Sequence, residues 1–421
     1  MRSRLLLATL VACHGGGGAK ATRGSGSSSA PFELVAGTVD ASAGSVGDEI
    51  EPNDTDETAT PLALGATMRG TLDPDTDVDR YRITASQAGA LSVMVSAVDA
   101  DLALEIEDGK GTVVAKSDRG GVRTAEGVPN LGVQPGRYTA VVRLVKHKAR
   151  KPASPASPPV YELTVQPATP GPNGEREPDE DRGTANDLIV GDTGTGYLGW
   201  SGDVDVWKLS VEALSAKDAI DVEVSAVDGV AFDVEVDDGV GQMLVHRKAP
   251  RGAPLVVRGL VPIVPAGAPP FHYVAIKGAG SNPETPYTVR VSAHVMAPDA
   301  EIEPDDTPER PFAMPPDRTV VHATWTPGDV DCFALPVAAS ARTVDATIDP
   351  AGDLNLAAEL LIDGTPVAAA VAGGKGTAVK VHGSVPAGAH AIVRVKGGDE
   401  RATAEGTYDV TVQDAGGDPG P

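Results

Sequence analysis

The chain is nearly without cysteine, holding Cys13 and Cys332 alone in 421 residues. Cys13 lies in a short signal-like segment at the N-terminus, so the folded part carries one thiol and cannot form an internal disulfide. Aromatics are only 4% of the chain, against 49 Gly and 35 Pro. That balance disfavours large helices and favours short strands joined by many turns. Positive charge is scarce too, with 35 Lys and Arg against 59 Asp and Glu and a net charge of −24. Phosphate contacts need a basic face, so this composition argues against a nucleic-acid partner and suits metal cations or basic partners better. Catalytic signatures are missing as well. There is no HExxH, no GxSxG elbow, no P-loop and no cysteine-histidine pairing, and the eight histidines are scattered without metal-ligand spacing. No enzyme is expected.

What is present is a repeat. EIEPND at 49–54 with DVDRYRI at 77–83 recurs as EREPDE at 175–180 with DVDVWKL at 203–209, and again as EIEPDD at 301–306 with DVDCFAL at 329–335. Glu51, Glu177 and Glu303 stand 126 residues apart, as do Asp77, Asp203 and Asp329. Regularity of this kind means three copies of one domain, each long enough to bury its own core. The copies span 48–167, 174–297 and 300–413, with short Pro- and Gly-bearing linkers that imply a semi-rigid string. Each unit carries runs of alternating apolar and polar residues, the pattern of half-buried strands. In the first they are LSVMVSAV at 91–98, DLALEIEDGKG at 101–111 with Ala103, Glu105 and Glu107 facing out, PGRYTAVVRL at 135–144 and YELTV at 161–165. The fold expected is all-β: three tandem jelly-roll-like antiparallel β-sandwiches. Alternation in DVDRYRI puts Asp79, Tyr81 and Ile83 on one face and Arg80 and Arg82 on the other. Tyr81, Trp207 and Phe333 are then equivalent core aromatics. Tyr138, Tyr161, Tyr273, Tyr287 and Tyr408 also fall at repeated core positions. Cys332, on the opposite face, has no activating neighbour and reads as an incidental thiol.

At the N-terminus a basic start, an eight-residue mainly apolar run from Leu5 to Ala12 and then Cys13 form a signal too short to span a bilayer. Leu10-Val11-Ala12-Cys13 resembles the lipobox of bacterial lipoproteins, which implies a lipid anchor on Cys13 and an exported protein at the outer membrane or cell surface. If Cys13 is not lipidated, the protein is secreted. Residues 14–47 are low-complexity Gly, Ser and Ala, a disordered tether. The basic, proline-rich stretch 146–159 reads as a solvated hairpin tip, and 414–421 as a disordered tail.

The order E-x-E-P-N-D-T, G-T-L, D-x-D-x-Y, a DL strand, P-G-x-Y and a closing Y-x-L-T-V resembles the bacterial pre-peptidase C-terminal domain family and the related collagen-binding modules of bacterial collagenases. The resemblance covers each of the three units nearly end to end. It implies a jelly-roll-like sandwich, an accessory module often appended to secreted proteases, and in the collagen-binding members a calcium site joining the entry segment to the sheet. Carried over by position, the ligands are Glu49, Glu51, Asn53, Asp54, Asp77 and Asp79 in the first unit. In the second they are Glu175, Glu177, Asp179, Glu180, Asp203 and Asp205, and in the third Glu301, Glu303, Asp305, Asp306, Asp329 and Asp331. Hard oxygen donors suit Ca²⁺ better than Zn²⁺. The alternative is an acidic linker and an Asp-capped turn with no metal. Trp200 and Trp325, in the loops before the Asp-Val-Asp starts, are the candidates for contact with a ligand, against burial at the domain's end. The function expected is a non-catalytic, calcium-stabilised surface lipoprotein with a binding, adhesion or spacer role toward an extracellular protein or polysaccharide. The alternative is a secreted accessory protein in protease export or inhibition.

Overall fold

The computed structural model describes residues 44–73, 76–145, 158–316, 320–398 and 405–415. Cys13, nearly all of the expected tether and residues 146–157 of the basic loop lie outside the described residues. Among the described residues there is no helix, hence none long and apolar enough to cross a membrane.

The first block contains strands β1 (Val46–Asp48), β2 (Thr60–Leu62), β3 (Thr67–Thr71), β4 (Val78–Ala85), β5 (Gly89–Val95), β6 (Leu102–Glu107), β7 (Val113–Ser117), β8 (Glu126–Val133), β9 (Gly136–Leu144) and β10 (Val160–Ala168). They form two five-stranded sheets, ordered β1-β3-β10-β5-β8 and β2-β4-β9-β6-β7. Pairing is antiparallel except at the short opening strands, where β1 runs parallel to β3 and β2 parallel to β4. The same order recurs twice. Val204–Ser210 and Val330–Ala334 take the place of β4, and Tyr287–Val295 and Gly406–Ala415 that of β10. Where β1 pairs with β3, the later blocks keep only single parallel bridges, Gly174 to Thr195 and Ala300 to His322. The fold is therefore all-β, a row of two-sheet sandwiches.

Alternation along the strands builds each core. In β4, Asp79, Tyr81, Ile83 and Ala85 are buried while Arg80 and Arg82 are half exposed. Leu91, Val93 and Val95 from one sheet meet Leu102, Leu104 and Ile106 from the other in a single apolar cluster. Equivalent clusters fill the second and third blocks. Burying such side chains stabilises by roughly 1.5–3 kcal/mol each, which offsets the entropy of ordering so many short strands. The EDGKG turn forms as expected, with Asp108 accepting from the Lys110 and Thr112 amides.

Several expectations need correction. Val46 and Gly47, assigned to the tether, belong to β1, and Asp414 and Ala415, assigned to the tail, continue the last strand. Ala103 is buried rather than outward, since a methyl group needs little room on the outer face. Tyr161, Tyr287 and Tyr408 are core residues, but Tyr138 and Tyr273 are only half buried.

Successive blocks are joined by backbone pairing as well as by the linker. The Glu177 amide donates to the Asn130 carbonyl at 3.0 Å, and the Gly132 amide to the Glu177 carbonyl at 2.7 Å. One repeat on, the Glu303 amide donates to Gly259 O at 3.0 Å, and Val261 N to Glu303 O at 2.9 Å. The last strand of one sheet thus extends onto the paired-glutamate entry of the next block. Asn130 and Gly259 both hold positive φ, 53° and 66°, which turns their carbonyls toward that entry; Asn and Gly are the residues that accept this conformation at least cost.

Candidate metal centres at the block entries

In each block the Glu-x-Glu-Pro entry lies against the start of the β4-type strand, and the peptide bond before the proline is cis in all three copies. In the first cluster Glu49 Oε1 accepts from the Thr71 amide at 2.6 Å, and Oε2 from Tyr81 Oη at 2.7 Å and Asn53 Nδ2 at 3.2 Å. Glu51 accepts from the Asn53 amide at 2.9 Å, and Asp77 from the Asp73 and Val78 amides at 2.8 and 3.0 Å. Asp79 accepts from Tyr161 Oη, which in turn lies 2.8 Å from Tyr81 Oη. Glu49, Glu51 and Asp79 offer carboxylate oxygens within 4.8 Å of one another. Asn53 Oδ1 and Asp79 Oδ1 are buried with no donor. An open cleft is lined by Glu49, Glu51, Asp54, Thr71, Asp73 and Asp77. Glu51 and Asp54 are exposed at its mouth.

The second cluster is sealed. Glu175, Glu177, Asp179, Asp203 and Asp205 are each at most 1% exposed, with Glu180 alone at the surface. Some oxygens are satisfied: Glu175 accepts from the Tyr197 amide at 2.8 Å, Asp203 from the Gly199 and Val204 amides at 2.6 and 3.1 Å, and Asp179 Oδ2 from Asn186 Nδ2 at 2.6 Å. Both Glu177 oxygens and Asp179 Oδ1 have no donor. The roof comes from the first block. Asn130 and Gly132 bind the Glu177 backbone, Pro129 lies against Gly199, and Trp200 enters the first block's core. Gly196 lets Glu175 and Tyr287 close on the main chain, since a Cβ there would lie 2.1 Å from Glu175 Oε2.

The third cluster divides in two. Glu301, Asp305 and Asp331 converge on one side and Glu303, Asp306 and Asp329 on the other. Tyr408 Oη donates to Asp331, as Tyr161 does to Asp79. On the first side Glu301 Oε1, both Asp305 oxygens and Asp331 Oδ1 lack donors. The second side is filled by the guanidinium of Arg247, 1% exposed, from the preceding block.

Burial and like charge push several of the buried carboxyls up. Asp79 rises to about 8, chiefly through burial, opposed by the Tyr161 hydrogen bond and reinforced by Glu49 and Asp77. Asp179 and Asp203 also rise to about 8, burial again being the main cause, with added repulsion from Asp203 on Asp179 and from Glu180 on both. Glu303 reaches about 8 even though Arg247 works against burial there. Buried carboxylates this close need shared protons or a cation. The donors are oxygens only, in sets of carboxylates plus the Asn53 amide in the first block, and several of them are buried without a partner. That composition fits a hard cation such as Ca²⁺. All eighteen residues singled out from the repeat lie in or at the rim of these three clusters.

Trp200 and Trp325 are 6% and 2% exposed, so neither presents a stacking face to solvent. Cys332 is buried against Leu361 and Ile392, and burial pushes its thiol up to about 12, which leaves it unreactive at neutral pH. Sequence reasoning missed β7, β8 and their later counterparts, and with them Arg247. VVAKS and MLVHRKA do carry the alternation that would have marked two of these strands.

No protein-family model matches the chain, and no curated protein matches it. Among solved structures, the pre-peptidase C-terminal domain of a collagenase from Bacillus anthracis is 17% identical, covering 28% of this chain and 98% of that one with a TM-score of 0.21. A candidate secreted protein from Eubacterium rectale is 11% identical, covering 58% of this chain and 81% of that one with a TM-score of 0.20.

Proposed function

We propose that this chain is a non-catalytic, exported protein in which calcium ions order the entry of each sandwich and, at the second block, its joint with the block before. The string of blocks then serves as a spacer or binding stalk, held to a membrane surface by acyl chains on Cys13, for an extracellular protein or polysaccharide. The observation that carries the calcium reading is the second cluster, where Glu177 is 1% exposed and neither of its oxygens has a donor. A carboxylate so placed is costly unless a cation meets it. Calcium takes six to eight oxygen ligands in loose geometry, which these mixed carboxylate sets can supply. In this reading Glu175, Glu177, Asp179, Asp203 and Asp205 would hold the ion, and the Tyr197, Gly199 and Val204 amides orient their carboxylates.

The test is a thermal melt of the chain in calcium and in chelator. An ion bound only by the folded state stabilises it by mass action, so the melting temperature is expected to rise with calcium concentration. Superimposable melts, with Glu177→Gln and Asp205→Asn equally silent, would remove the calcium reading.

A further inference from the structure

Arg247 lies on the strand Met243–Ala249, paired in register with Val234. The matching pair in the first block is Ser117 with Leu104, so a serine stands there where the second block has an arginine. The Arg247 side chain crosses into the third block. Its Nη2 reaches Glu303 Oε1 at 2.5 Å and also pairs with Asp329, while Nη1 reaches Asp306 Oδ1 at 2.9 Å and the His246 carbonyl at 3.1 Å. Glu303, Asp306 and Asp329 are the repeat counterparts of Glu177, Glu180 and Asp203. The two sets differ in their oxygens: both of Glu177 lack a donor, and neither of Glu303 does. A guanidinium is a permanent planar cation whose fork of donors suits carboxylates. It also fills the space between them.

We infer that Arg247 stands in for one divalent ion, so that the outer half of the third cluster is neutralised by the second block itself. Glu301, Asp305 and Asp331 remain for calcium there, with buried oxygens still lacking donors. The joint between the second and third blocks is then fixed by a charge pair that needs no metal, while the joint between the first and second depends on calcium. This rests on the calcium reading above and adds which residues calcium does not use.

Two measurements test it. Native mass spectrometry in calcium should show Arg247→Ser binding one ion more than the unaltered chain, because the freed carboxylates become a site. Equal, non-zero counts would overturn the inference and leave the calcium reading standing; no calcium on either chain would overturn both. Crystals of the unaltered chain grown with calcium keep the question open to refutation if the variant does not fold. An anomalous peak is expected beside Glu177 and Asp203 and none among Glu303, Asp306 and Asp329. A peak among the latter three, with Arg247 displaced, would overturn the inference. No peak in any cluster would overturn both.

Discussion

The acidic clusters of the first and second blocks are built from the same positions of the same repeat, yet one opens to a cleft and the other is sealed. Glu51 is exposed and Asp77 half buried, whereas their counterparts Glu177 and Asp203 are 1% and 0% exposed. Their own blocks do not explain this. The difference is the neighbour in front: the first block's β8 lies over the second entry, and no described strand lies over the first in that way. A repeat that looks uniform in sequence therefore yields sites of different depth, because each roof belongs to the preceding copy. The third cluster adds a further variation, since its roof brings a cation with it.

The largest expected effect comes from removing the roof's anchor. Trp200 belongs to the second block by sequence but packs in the first block's core. Trp200→Ala should cost about 3–5 kcal/mol and loosen the two blocks together. Differential scanning calorimetry would show this as a first transition that splits off at lower temperature, while Trp325→Ala, inside the third core, should leave that transition in place.

The next effect is pH dependence without calcium. Asp179 and Asp203 are pushed up to about 8 in the fold, against roughly 4 in an unfolded chain. The folded state thus holds more protons between these values, and its stability falls as pH rises through that window, by on the order of a few kcal/mol. Denaturant melts in chelator at pH 5 and pH 8 should show this decline. In calcium the slope should reverse, because the ion needs the deprotonated oxygens. A chelator melt that strengthens with rising pH would contradict the burial argument.

Somewhat smaller is the contrast between ligand variants. At calcium 100-fold above its dissociation constant, each site contributes about 2.7 kcal/mol, and Glu177→Gln should forfeit most of that. Glu51→Gln, at an exposed position, should forfeit less. Equal losses would mean that burial does not grade the sites. The smallest effect is at the seam. Asn130→Val places a β-branched residue at φ 53° and should cost about 1–2 kcal/mol, whereas Asn130→Gly keeps that φ without strain and should cost less, losing the side-chain hydrogen bond to Glu175.

Much of this was legible in the sequence. The 126-residue spacing and the alternation in DVDRYRI follow from local pattern and repeat, and the convergence of the entry glutamates with the Asp-x-Asp pair is what the family resemblance implied. The roofs were not legible, for a physical reason. EGVPNLGV carries Gly, Pro and Asn inside a strand, its register with β5 is interrupted by a shift, and its other edge meets a segment of another block that local periodicity does not announce. Arg247 falls on the same strand face as the buried Val245 and Ala249, and nothing in its own block accounts for a cation there until the carboxylates of the next block are in place. Trp200 sits in a loop, and only the seam reveals that its ring fills the core of the preceding block.

The most direct test of the account is calorimetric titration of the chain with calcium near pH 8, repeated with Asp205→Asn. The account predicts saturable binding whose tightest class disappears in the variant. A flat titration, or an unchanged tightest class, would contradict it.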